Sequence, residues 1–238
     1  MSGIGNEPVV VLVHGAFAES ASWDGVLERL AEQGVTAVAA ANPLRSLERD
    51  AAYVRDVVAS LERPVVLAGH SYGGQVITQA AGRNPYVKGL VFVSAFAPDT
   101  GESALELSGR FPGSTLGDAV TARPLTEGGV ELSIDVARFP EQFAADVDPE
   151  VAALMAATQR PVAERALAAG LVGEPAWRTL PSWFVWGDAD RNIPAAALRF
   201  MAERAQGREL REIAGAGHAL TVSQPGAVAE TILKAVAG

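Results

Sequence analysis

The sequence predicts an α/β protein in which a parallel sheet carries helices on both faces. Short apolar or β-branched runs recur at residues 9–13, 36–40, 65–68 and 87–94. Stretches with a helical period separate these runs, and glycines bound several of them. Apolar strands that alternate with helices are typical of parallel sheets covered on both faces. These observations together favour the α/β class over all-α and all-β folds.

Helical patterns fall in the intervals between the strands. In residues 23–30 the apolar positions share one helical face, and residues 47–61 repeat this pattern. A third helix is predicted within residues 75–81, directly after the third strand. Towards the end of the chain the alternation resumes, with strands at 183–186 and 209–213 and helices at 194–205 and 225–237.

The rhythm breaks between these two parts of the chain. Residues 100–174 carry scattered glycines and prolines, and we predict that they form a mostly helical lid inserted into a core made of residues 1–99 and 175–238. Within the lid the sequence predicts a hairpin at 121–125 and 130–134, and short helices at 149–158 and 161–169.

Composition limits the function classes. The 238-residue chain is long enough to bury a large core, and its net charge of −9 argues against nucleic acid or an anionic membrane surface as a partner. The absence of cysteine excludes disulfides and thiolate metal sites. No signal peptide or membrane-spanning stretch is evident, so a cytoplasmic location is expected. A homodimer is compatible with this composition.

The segment Gly69-His70-Ser71-Tyr72-Gly73 has the spacing of a nucleophile elbow. In such an elbow a serine occupies a strained turn between a strand and a helix, and the residues two before and two after it are small. An apolar strand precedes Ser71 and helix-forming residues follow it. The sequence therefore predicts Ser71 as a nucleophile at the amino end of a helix.

A serine hydroxyl needs an adjacent base, and the chain contains only three histidines. His70 adjoins the nucleophile, so its side chain should point away from the hydroxyl. His14 ends the first strand, where we expect it to brace the following loop by hydrogen bonds. His218 lies in a glycine-rich loop after the last strand and is the predicted general base.

The base in turn needs a carboxylate that fixes its tautomer. The loop after the strand at 183–186 contains Asp188 and Asp190, at the sheet edge where ligands gather in α/β proteins. We select Asp190, which lies further into the loop, and expect Asp188 to brace the turn. Asp99, which follows another core strand, is a third option.

Two backbone amides are the candidate oxyanion donors: Tyr72 N–H, just after the nucleophile, and Ala16 N–H in the loop after the first strand. Phe17 and Trp23 are candidates for either the substrate pocket or the core. Apolar lid residues present the same two alternatives; among them Phe111, Phe143 and Met155 are the candidate substrate contacts.

With these motifs the chain resembles the α/β-hydrolase fold superfamily, and more closely the compact branch of bacterial esterases, plant methyl esterases and hydroxynitrile lyases. The resemblance rests on His14-Gly15-Ala16, the elbow, the segment 95–99 and the loops of Asp190 and His218. It covers essentially the whole chain. It implies a six-stranded, mainly parallel sheet that lacks the two leading strands of the larger members.

The resemblance implies a serine hydrolase that cleaves small to medium apolar carboxylic esters through an acyl-enzyme, without a metal or organic cofactor. Ser71 argues against dehalogenases and epoxide hydrolases, which use an aspartate nucleophile. The lyases carry a lysine after the catalytic histidine, whereas this chain has Ala219. Lactonase, C–C hydrolase and perhydrolase activities remain alternatives, as does a non-catalytic ligand receptor.

Overall fold

The computed structural model describes residues 7–238. In chain order its strands are β1 (Val9–Val13), β2 (Ala37–Ala40), β3 (Val65–His70), β4 (Val87–Val93), β5 (Val120–Pro124), β6 (Val130–Ile134), β7 (Val162–Ala163), β8 (Ser182–Gly187) and β9 (Glu209–Ile213). Six of them form one sheet in the order β2-β1-β3-β4-β8-β9, and every neighbouring pair is parallel. The predicted α/β class and six-stranded sheet are confirmed.

The helices connect and cover these strands. They are α1 (Asp24–Glu32), α2 (Leu47–Leu61), α3 (Tyr72–Ala81), α4 (Ala104–Gly109), α5 (Leu116–Ala119), α6 (Phe139–Phe143), α7 (Pro149–Thr158), α8 (Glu164–Ala168), α9 (Ala195–Arg204), α10 (Leu220–Ser223) and α11 (Pro225–Ala237). Within residues 7–238 no helix is both long and apolar enough to cross a membrane.

Side-chain alternation along the strands divides the core into two layers. In β1, Val11 and Val13 pack with residues of α2, α3 and α9, whereas Val10 and Leu12 pack with residues of α1 and α11. Successive residues of a strand point to opposite faces, so a strand buried on both sides must be apolar throughout. This requirement explains why β1 consists only of valine and leucine.

The residues between β4 and β8 form an insertion that combines short helices with a small sheet. Strands β5, β6 and β7 pair antiparallel, and the predicted hairpin is present as β5–β6. The helix predicted over 161–169 is wrong at its start, because Val162 and Ala163 pair with β6 and the helix begins at Glu164. The two residues are extended because they pair with β6, which lies far from them in the sequence, and a local pattern does not reveal this pairing. The domain boundaries at 99 and 175 stay a prediction.

The two ends of the insertion are held together near the elbow helix α3. Thr100 and Leu171 form a parallel bridge, and the Gly101 N–H donates to the Leu171 carbonyl. The Gln75 side chain on α3 accepts from the Ala104 N–H and donates to the Ala169 carbonyl. The insertion therefore begins and ends against the helix that follows Ser71.

Candidate active site

Ser71 occupies the turn between β3 and α3 in a strained backbone conformation. Its φ of 54° and ψ of −123° lie outside the regions that non-glycine residues favour. Glycines allow the tight packing that this turn requires: a Cβ on Gly69 would lie 2.5 Å from the Gly73 carbonyl oxygen, and one on Gly73 would lie 2.3 Å from the Val13 oxygen. Burial of 93% leaves Ser71 a small exposed surface, which faces a cavity.

His218, in the loop after β9, contacts the carboxylate of Asp190. The distance from His218 Nδ1 to Asp190 Oδ2 is 2.7 Å, and both side chains are almost completely buried. The other carboxylate oxygen accepts the backbone N–H groups of Asn192 and Ile193, at 2.7 and 2.9 Å. Because a carboxylate faces Nδ1, that nitrogen carries the proton and Nε2 is left for a serine hydroxyl. Ser71 and His218 line the same cavity.

The two alternative aspartates have structural partners instead. Asp188 accepts the N–H of Gly215 at 2.6 Å and so braces the turn that leads to the histidine loop. Asp99 pairs with Arg178 at 2.6 Å, and this hydrogen bond lowers the pKa of the Asp99 carboxyl. In the described part of the chain neither side chain contacts His218, because the Nδ1 atom of His218 is hydrogen-bonded to Asp190.

The loop after β1, which contains Ala16, lies beside Ser71. A Cβ on Gly15 would lie 2.6 Å from Ser71 Cβ, so only glycine permits this approach. The Phe17 N–H donates to the Arg160 carbonyl at 3.2 Å and is therefore engaged with the insertion. Tyr72 is the first residue of α3, where a backbone N–H has no partner within the helix. Ala16 and Tyr72 both line the cavity next to Ser71.

The Tyr72 side chain is fully buried in the core. Its hydroxyl donates to Asp50 Oδ2 at 2.9 Å. Burial raises the pKa of the Asp50 carboxyl, and burial beside this carboxyl raises the pKa of the Tyr72 phenol as well. The pair links α2 to the first residue of α3, so the side chain anchors the residue that follows Ser71.

His70 is not among the residues that line the cavity and contacts the histidine loop instead. Its Nε2–H donates to the His218 carbonyl at 2.9 Å, and the two rings lie 4.8 Å apart. Complete burial lowers the pKa of His70 to about 3, and the nearby His218 ring adds to this shift. His14 uses Nδ1–H to bond the Gly15 carbonyl at 2.9 Å, in the loop that we expected it to brace. Burial also lowers the pKa of His14.

A cavity of about 260 Å³ opens above Ser71. Its wall is mostly apolar and comes from both the core and the insertion. The lining residues are Ala16, Phe17, Ser71, Tyr72, Phe96, Ala104, Leu105, Ser108, Ser114, Leu116, Gly117, Val120, Leu132, Phe143, Leu167, Asn192, Ile193 and His218. No aspartate, glutamate, lysine or arginine is among them, so the wall offers no charge partner to a bound molecule.

The predicted substrate contacts have different locations. Phe17 and Phe143 line the cavity. Trp23 is a core residue, the second of its two predicted alternatives, and not a substrate contact, because its side chain has no exposed surface and packs with Leu12 and Leu30. Phe111 is not among the lining residues and packs on Phe200, with ring centroids 5.5 Å apart. Met155 lies at a second cavity of about 360 Å³, between α7 and residues 17–25.

Three residues that support the site were not found from the sequence. Asn42 donates to the His14 carbonyl, Arg160 holds the Phe17 amide, and Asp146 accepts the Gly217 N–H. No motif marks these residues, because each acts on a backbone group that is remote in the chain. The described residues also contain no group of three or more His, Cys, Asp or Glu side chains that could hold a metal ion.

The alpha/beta hydrolase family model matches residues 10–231 of this chain. The chain is similar to the pimeloyl-(acyl-carrier protein) methyl ester esterase of Xanthomonas oryzae pv. oryzae, at 28% identity over 98% of this chain and 97% of the relative. It is also similar to the alpha-hydroxynitrile lyase of Arabidopsis thaliana, at 26% identity over 90% and 92% of the two chains.

Among solved structures, that of polyneuridine aldehyde esterase matches with a TM-score of 0.82 at 20% identity, over 96% of this chain and 99% of the other. At this identity the match concerns the fold alone. The family model, by contrast, covers all the strands from β1 to β9, apart from Val9, the first residue of β1. It also includes Ser71, Asp190 and His218. The chain therefore belongs to the alpha/beta hydrolase family, as a hydrolase of the carboxylesterase type.

Proposed function

We propose that the protein hydrolyses neutral, apolar carboxylic esters by way of an acyl-enzyme. The observation that carries this proposal is the buried His218–Asp190 contact at the cavity that Ser71 also lines. A carboxylate that accepts the Nδ1 proton fixes the tautomer in which Nε2 can take a proton from a serine hydroxyl. Similarity to esterases that act on methyl esters supports the same reaction class.

In the proposed reaction Ser71 Oγ attacks the acyl carbon while His218 Nε2 takes the hydroxyl proton. The negative charge on the former carbonyl oxygen is stabilised by the N–H groups of Ala16 and Tyr72, each worth roughly 3–4 kcal/mol if lost. His218 then gives the proton to the leaving alcohol. Water attacks the acyl-enzyme with His218 again as base, and the proton returns to Ser71 Oγ as the acid leaves.

The cavity supports a neutral substrate of modest size. An ionised group would lose its hydration in this wall without gaining a partner, which is costly. The volume of about 260 Å³ lies near the lower end for small-molecule sites. We therefore propose that uncharged acyl groups of short to medium length bind next to Phe17 and Phe143.

The test is a series of p-nitrophenyl esters of graded acyl length, together with labelling by a fluorophosphonate. We expect hydrolysis of the uncharged esters, labelling at Ser71, and loss of both in Ser71→Ala. A matched ester with a terminal carboxylate on its acyl chain should be a much poorer substrate. Faster turnover of a lactone or a diketone than of every ester would contradict the proposal and favour one of the alternative bond types.

A further inference from the structure

The loop that carries His218 is attached to the insertion on both sides of the catalytic residue. The Gly217 N–H donates to Asp146 Oδ2 at 2.9 Å, and the Ala219 N–H donates to the Phe143 carbonyl at 3.1 Å. The Phe143 ring also meets the His218 ring edge-on, with centroids 4.9 Å apart. Three contacts from one short segment, residues 143–146, therefore surround the predicted base.

The Asp146 contact requires a close approach that only glycine allows. A Cβ on Gly217 would lie 2.6 Å from Asp146 Oδ1, closer than the two atoms can pack. Gly217 does not have a positive φ, so its backbone conformation does not require glycine. The close contact with the Asp146 carboxylate therefore explains why residue 217 is a glycine.

The core holds the same loop at other atoms. His70 Nε2–H binds the His218 carbonyl, and Asp188 binds the Gly215 N–H. The core therefore fixes the start of the loop and one face of His218, while the insertion fixes the two amides that flank it. Loss of the insertion contacts would leave the loop held by the core contacts alone, so the imidazole could shift relative to Ser71.

We propose that Asp146 is a positioning residue, which holds His218 in reach of Ser71 only while the insertion is docked on the core. This inference rests on the proposed function, because it assigns Asp146 a role in that reaction. The insertion then does more than shape the pocket, since it supplies part of the scaffold of the general base.

The test compares Asp146→Ala and Asp146→Asn with Asp148→Ala. Asp148 lies two residues away on the same segment, but its side chain caps α7 and accepts from the Glu150 N–H. We expect Asp146→Ala to lower kcat about 10- to 100-fold with little change in KM, because small displacements of a catalytic group are costly. Asparagine keeps an acceptor oxygen and should recover most of kcat, and Asp148→Ala should retain it.

Gly217→Ala provides a second route to the same contact. The added methyl group should displace the Asp146 carboxylate and lower kcat to a similar extent. In the double variant with Asp146→Ala the clash is absent, so the two losses should not add. Additive losses, or an equal loss in Asp148→Ala, would overturn the proposal.

Hydrogen exchange over residues 214–222 tests the attachment without any activity. We expect faster exchange in Asp146→Ala than in the wild type and in Asp148→Ala, and unchanged exchange would overturn the proposal. If the wild type hydrolyses no ester and takes up no fluorophosphonate, the proposed function fails, and the exchange result still decides whether Asp146 holds this loop.

Discussion

His70 and His218 are the same kind of side chain, lie 4.8 Å apart and are both buried, yet they have different partners. His70 donates Nε2–H to a backbone carbonyl and has no charged partner. His218 presents Nδ1 to the Asp190 carboxylate and lines the cavity. Burial without a counter-ion lowers the pKa of His70 to about 3, so this imidazole stays neutral at ordinary pH.

In the proposed function the partner of each imidazole decides its role, more than its distance from Ser71 in the sequence. His70 is adjacent to Ser71 but serves as a fixed donor that supports the other histidine. His218 is 147 positions from Ser71 in the chain but meets a carboxylate that can stabilise a positive charge. Four predictions test this division of roles.

Replacing His218 should have the largest effect. His218→Ala removes the only proposed proton acceptor for Ser71, so kcat for a p-nitrophenyl ester should fall on the order of 10⁴- to 10⁶-fold. The fluorophosphonate should also label Ser71 far more slowly. Substantial activity in this variant, with His70 intact, would mean that the roles of the two histidines are assigned wrongly.

Removing the carboxylate partner should have the next largest effect. Asp190→Asn keeps the size of the side chain but favours the wrong tautomer of His218, and kcat should fall by about 10⁴-fold. Asp188→Asn is the matched control on the same loop, because its side chain can still accept the Gly215 N–H. Asp188→Asn should retain nearly all activity. A loss of kcat as large as that in Asp190→Asn would mean that a disturbed loop, and not the missing Asp190 carboxylate, causes the effect.

Replacing His70 should have a smaller effect that reflects positioning. His70→Ala removes the donor to the His218 carbonyl, and we expect kcat to fall about 10- to 100-fold while KM changes little. His70→Gln can place an N–H near the same carbonyl and should recover part of the loss. A decrease in His70→Ala as large as that in His218→Ala would contradict a supporting role.

The smallest effect concerns stability at low pH. The pKa of His70 is about 3 in the folded protein and near 6.5 in the unfolded chain, so the unfolded state binds the additional proton between these values. The free energy of unfolding should therefore be largest above pH 6.5 and decrease as the pH falls towards 3, by up to about 1.4 kcal/mol per pH unit for this group. His14, whose pKa burial also lowers, adds to the same trend.

Urea unfolding of the wild type and of His70→Gln at pH 7 and pH 5 measures this contribution. The variant should lose less stability between the two pH values than the wild type, with the His14 contribution still present. An equal loss in both proteins would show that His70 does not remain neutral in the folded state.

The strands and helices of the core were predictable because their patterns are local. The predicted bounds of β1, α2, β9 and α11 agree with the structure. In β1 burial on both faces makes every residue apolar, and in α2 and α11 burial of one face imposes an apolar period. Within the insertion the helix α7 was also predicted at its observed bounds. The strand β7 was not, because only its pairing with β6 makes these two residues extended.

The candidate site was predictable to the extent that its residues follow strand ends. Ser71, Asp190 and His218 each come after a strand of the parallel sheet, and such strands end at one edge. The pocket residues were less predictable. Phe17 and Trp23 are both aromatic residues after β1, but only Phe17 reaches the cavity, because the turn of the chain after residue 20 directs Trp23 into the core.

By itself, the sequence determined the parallel sheet, the strained turn at Ser71 and the positions of Ser71, Asp190 and His218 after strands, because apolar periods and glycine positions are local properties of the chain. Only the tertiary structure decided which aspartate meets His218, which aromatic residues line the cavity, and that Asp146 attaches to the histidine loop. These contacts join residues up to 71 positions apart, as for Asp146 and Gly217, and their hydrogen-bond geometry exists only after the core and the insertion have packed together.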